Sequence, residues 1–90
     1  MKHAGPVALA SIEPLLQKLR ERTQLKERSP GVFYLKSRAF LHFHEYPAGL
    51  FVDYRPGSGF VRQVLACAAD EELLLERVDR ALGNPPPGSA

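Results

Sequence analysis

The chain has 90 residues, twelve Lys and Arg against ten Asp and Glu, and a hydrophobic fraction of 44%. This describes one small domain with enough apolar residues for a core. It excludes a strongly basic nucleic-acid binder and any membrane helix, since no apolar run approaches the roughly 20 residues required. Cys67 is the single cysteine, so no internal disulfide can form. With no signal-type apolar core near the start, a soluble cytoplasmic protein is expected.

Residues 1–10 show no period and contain Gly5 and Pro6; a flexible N-terminal arm is expected there, ahead of a single domain over 11–83. Ser11 is a suitable helix cap, and Pro14 falls in the first turn, where its missing N–H is tolerated. Ile12, Leu15, Leu16 and Leu19 follow the spacing of one helical face. The helix is expected to run from Ser11 toward Lys26 and to fade before Ser29-Pro30-Gly31, which forbids its continuation. Lys18, Arg20, Arg22, Lys26 and Arg28 are interleaved with Glu13, Glu21 and Glu27, a solvated face rather than a phosphate-binding one. Nucleic acid is therefore not the expected partner.

Four strands are expected next: Val32–Lys36, Ala39–Glu45, Leu50–Arg55 and Phe60–Leu65. They are rich in the aromatic residues that favour a pleated surface. Lys36-Ser37-Arg38 suits a hairpin loop, and Tyr46–Gly49 and Pro56–Gly59 suit four-residue loops. After a small-residue link through Cys67, Asp70 is a plausible cap for a second helix. That helix would present Leu73, Leu74, Val78, Ala81 and Leu82 on one face and stop at Gly83. Residues 84–90 are rich in Pro and Gly, and a disordered tail is expected. The fold class is α+β: a two-layer sandwich in the order helix, antiparallel meander of three to four strands, helix.

The run Lys36-Ser37-Arg38-Ala39-Phe40-Leu41-His42-Phe43-His44-Glu45, followed by Pro47-Ala48-Gly49-Leu50-Phe51 and Asp53, resembles a group of small uncharacterised bacterial proteins. That resemblance implies no activity and no residue roles. The order of elements is also similar to frataxin-like and YjbR-like domains, a likeness of order and size. The first helix here is basic and mixed, unlike the acidic helix that frataxins use for iron.

If the two four-residue loops hold, His42 faces Asp53, Phe43 faces Val52, Glu45 faces Leu50, Asp53 faces Arg62 and Phe51 faces Val64. Alternation then gathers Leu41, Phe43, Val52, Tyr54 and Val61 on the face assigned to the helices. The other face receives Phe40, His42, His44, Phe51, Asp53, Arg55, Phe60, Arg62 and Val64. Such a mixture of aromatic and charged residues suits a contact surface. The leading expectation is a non-enzymatic interaction module that uses this face, with a protein partner or a second copy of itself. Its candidate interface is Phe40, His42, His44, Phe51, Asp53, Arg55, Arg62 and Val64.

The alternative is a small metal-binding protein or enzyme. His42 and His44 alternate on one strand with Asp53 opposite, which approaches the two-histidine, one-carboxylate arrangement of non-haem iron. The plainer reading of the same residues is a polar cross-strand pair. No cofactor is expected on the leading reading, and no catalytic residue is assigned. Cys67 is surrounded by Ala66, Ala68 and Ala69 and reads as a small packed residue. Gly57-Ser58-Gly59 has no following helix and is not a phosphate loop.

Overall fold

A computed structural model describes residues 2–85. Its elements are β1 (Lys2–His3), α1 (Pro6–Ala10), α2 (Glu13–Arg20), β2 (Leu25–Ser29), β3 (Val32–Leu35), β4 (Arg38–Tyr46), β5 (Gly49–Tyr54), β6 (Val61–Leu65) and α3 (Ala68–Leu82). The fold is α+β, with helix before and after the sheet. The sheet is antiparallel in the order β2-β3-β4-β5-β6, and β1 pairs with β4. Because β5 occupies one edge of β4, β1 shares the other edge with β3, opposite the last residues of the strand.

Helix α2 forms where the apolar spacing places it. Leu15, Leu16 and Leu19 are each 2% exposed or less, and burial of this kind stabilises by about 1.5–3 kcal/mol per side chain. They join Leu74 and Val78 of α3 over Leu41, Phe43, Val52 and Tyr54 of the sheet. Gln63 is buried on the same face and satisfied, donating to the Asp70 carbonyl and accepting from Arg77. Val61 shares that face through its pairing with Tyr54 but is 42% exposed.

Five details differ from the sequence reading. The segment after Arg22 is not fading helix: Leu25–Ser29 is an edge strand, with Leu25 its one buried residue. It turns through Pro30-Gly31, where Gly31 takes φ 74° and Ser29 pairs with Val32. The meander therefore has five strands. The first ten residues carry β1 and α1, and Leu9 of α1 enters the core. The last helix starts at Ala68, with Cys67 at the cap position. Asp70 lies in its first turn and accepts the Ala66 N–H at 2.8 Å instead. Of the expected tail, residues 86–90 lie outside the described residues. Asn84 is fastened, accepting from Gln24 and donating to Asp79.

Phe40 is the fifth difference. It is 2% exposed and belongs to the core cluster, not to the face that carries His42. The cause is a bulge. Phe33 pairs with Leu41 and Tyr34 with Ala39, so Phe40 is an extra residue without a partner on β3. A bulge breaks the strict alternation of sides.

Candidate metal centre

Strand β4 sends Leu41 and Phe43 into the core, so alternation puts His42 and His44 on the opposite face. The register across β4, β5 and β6 is the expected one. His42 pairs with Asp53, Phe43 with Val52, His44 with Phe51 and Glu45 with Leu50. Asp53 pairs with Arg62, and Phe51 with Val64. Tyr46 pairs with Gly49, which leaves Pro47-Ala48 as the tip of the turn, with Gly49 at φ 144°.

Three donor groups converge there. His42 Nε2 lies 3.5 Å and His44 Nε2 3.1 Å from the same oxygen, Asp53 Oδ2. All three ligand atoms of this set fall within 4.8 Å of one another. A tetrahedral ion held at about 2.0–2.1 Å would separate its ligand atoms by about 3.3–3.4 Å, a value that the two histidine–aspartate distances bracket. A hydrogen bond would also explain 3.1 Å, but the His44 contact is not aligned as one. Both ring nitrogens of His44 are buried and lack a hydrogen-bond partner among the described residues. His44 itself is only 4% exposed. At Nε2 the ring has only the unaligned approach of the Asp53 carboxylate, and at Nδ1 it has lost water with no partner among the described residues.

Arg62 holds both oxygens of this carboxylate, including the one that the histidines approach. Arg62 forks onto Asp53, Nε to Oδ1 at 2.8 Å and Nη2 to Oδ2 at 2.9 Å. Arg62 also donates to the Tyr46 hydroxyl. This guanidinium holds the Asp53 carboxyl below the ordinary carboxylate range, and His44 and His42 act in the same direction. Asp53 is therefore an anion at neutral pH. Burial pushes the His42 imidazole below its ordinary value, with His44 adding to the effect and Asp53 opposing it. A neutral imidazole is the form that binds a metal.

A third histidine completes the surroundings. His3 on β1 pairs with His44 across the sheet. Its ring stacks on His42 at 5.6 Å and meets His44 edge-on at 5.2 Å, while His42 and His44 are 4.6 Å apart. Sequence reasoning missed His3 and Tyr46; Phe60, which the alternation had placed on this face, lies edge-on to His42 at 5.1 Å. For His3 no local signal existed, because its position depends on a two-residue strand pairing with a distant one.

The other candidate residues are spread along the same face. Phe51 is half-buried against Tyr46 at 4.9 Å, Arg55 lies over Phe60 at 5.3 Å, and Val64 is 45% exposed. Phe40 is absent from this face. Cys67 is exposed at the start of α3, far in role from the packed residue expected. Two of the basic residues on the first helical segment are taken by carboxylates: Arg20 bridges Glu13 and Glu27, and Arg22 forks onto Asp79. No helix among the described residues is long and apolar enough to cross a membrane.

No family model matches this chain, and neither a curated protein nor a solved structure does.

Proposed function

We propose that this protein binds a divalent transition metal through His42, His44 and Asp53. The observation that carries this reading is the buried His44 imidazole, whose two nitrogens lack a hydrogen-bond partner among the described residues while one of them sits 3.1 Å from an anionic carboxylate oxygen. A cation between these groups gives the ring the bond it lacks. Two imidazoles and one carboxylate suit zinc or ferrous iron rather than calcium or magnesium, which prefer all-oxygen sites. Arg62 acts as an outer partner that orients the carboxylate, although its positive charge opposes the ion and lowers affinity. Titration calorimetry of the metal-free protein with Zn²⁺ tests the reading. One equivalent bound by the parent, and binding lost in both His44→Ala and Asp53→Asn, is expected. A parent that takes up no zinc and no ferrous iron overturns it.

A second reading is favoured by a different observation. Phe60, Val61 and Val64 are 45%, 42% and 45% exposed, and β6 ends the order of strands. An open, partly apolar edge is a template for strand pairing. Pairing with a second copy across a two-fold axis would cover it. Sedimentation of the parent and of Val64→Asp over a range of concentrations tests this. A parent that remains a monomer at high concentration removes the self-association reading and leaves the metal reading intact.

A further inference from the structure

We infer that His3 is the fourth ligand of the metal centre, so that metal binding clasps the N-terminal strand onto β4 and closes the site. This rests on the metal-binding reading given above and adds to it the residue that fills the remaining position.

Three observations meet at His3. First, the ladder places it directly opposite His44, and paired residues of an antiparallel sheet share a face. Second, the backbone behind it is held in place: the Ala4 N–H donates to the Phe43 carbonyl at 3.0 Å and the Gly5 N–H to Glu45 Oε1 at 2.7 Å. His3 is thus delivered to the cluster by a paired strand, while the residue stays exposed. Third, the ring spacing fits. With nitrogens about 2.0–2.1 Å from a tetrahedral ion, imidazole centroids lie about 5.2 Å apart. The three observed separations are 4.6, 5.2 and 5.6 Å.

The donor atoms already gathered are those of His42, His44 and Asp53. His3 stands outside that set and reaches it by rotation of its ring, with no change in strand pairing. Three imidazoles and one carboxylate make a filled tetrahedral shell. Closed shells belong to structural zinc sites, and open ones to catalytic sites. The four-ligand site is therefore a metal-dependent clasp for the N-terminal segment rather than a place where substrate meets metal. A two-residue strand gains little from its own pairing, so the ion contributes most where the chain is held least.

The test compares the parent with His3→Ala, both loaded with Zn²⁺. X-ray absorption at the zinc edge should report three imidazoles in the parent and two in the variant. Affinity should fall at least about tenfold, the lower bound for loss of even an outer partner of a metal site. Hydrogen exchange at the Ala4 amide should slow on addition of Zn²⁺ to the parent and not in the variant. The metal-free variant should melt as the metal-free parent does, because the ring is exposed. If the parent binds zinc and His3→Ala binds it with equal affinity and an equal imidazole count, His3 is not a ligand and the three-ligand site stands alone. If the parent binds neither zinc nor ferrous iron, the metal reading and this inference fail together.

Discussion

His44 reaches past its direct partner. It pairs with Phe51 across β4 and β5, yet its Nε2 lies 3.1 Å from Oδ2 of Asp53, two residues further along β5. Diagonal neighbours of this kind are within reach of long side chains. Here the approach brings two buried groups close without an aligned hydrogen bond.

The first prediction follows from that unmet pairing. His44→Leu should raise the stability of the metal-free protein by about 1 kcal/mol or more, since it removes a buried polar group that lacks compensation. The same change should abolish metal binding. Urea unfolding in the presence of a chelator, beside calorimetric titration with Zn²⁺, measures both. A variant that loses stability in chelator would show His44 to be a structural residue.

Acid should destabilise the metal-free protein in two stages. The folded-state pKa of His42 lies below its ordinary 6.5, so the unfolded chain takes up a proton first as pH falls. Stability is full above the unfolded value and declines below about 6.5. Asp53 is also depressed, from an ordinary 3.8. Its contribution is present above that value and is lost as pH falls through the lower folded one. Unfolding free energy measured from pH 8 to pH 3 should show both declines, and His42→Gln should remove the upper one.

Gly31 is required by both its backbone and its surroundings. It adopts φ 74°, and an added Cβ would come 2.8 Å from Cδ2 of Leu9. Gly31→Ala should cost about 1–3 kcal/mol. Lys36 adopts φ 59° in the β3–β4 turn, and Lys36→Gly should gain up to about 1 kcal/mol. Thermal melts of the two variants should move in opposite directions.

Arg22 and Asp79 join the end of α2 to α3 by two hydrogen bonds of 3.0 and 2.8 Å. Their side chains are 17% and 9% exposed, so water screens the pair only in part. Asp79→Ala should cost about 1.5–3 kcal/mol, because it also strips a partner from Asn84. The helical apolar face would survive, so circular dichroism of the folded variant should match the parent. A smaller loss than about 0.5 kcal/mol would place this pair among ordinary surface contacts.

Local pattern sufficed for the middle of this protein. Alternation along 41–45 and the Pro and Gly residues of the following turn set one register, and a slip by one residue would have sent Phe43 and Val52 into water. For that reason the approach of His42, Asp53 and Arg62 was legible in the sequence alone. The face of α2 was legible too, since Leu15, Leu16 and Leu19 recur at helical spacing. Tertiary structure decided the rest. Strand β2 buries only Leu25, which leaves no alternation to read; its strand conformation comes from hydrogen bonds to β3. Phe40 changed sides because the bulge opposite Phe33 and Tyr34 is a property of two strands together. His3 joined the histidines because β1 pairs with the far end of β4. A two-residue strand has no period of its own, so only the long-range pairing could place it.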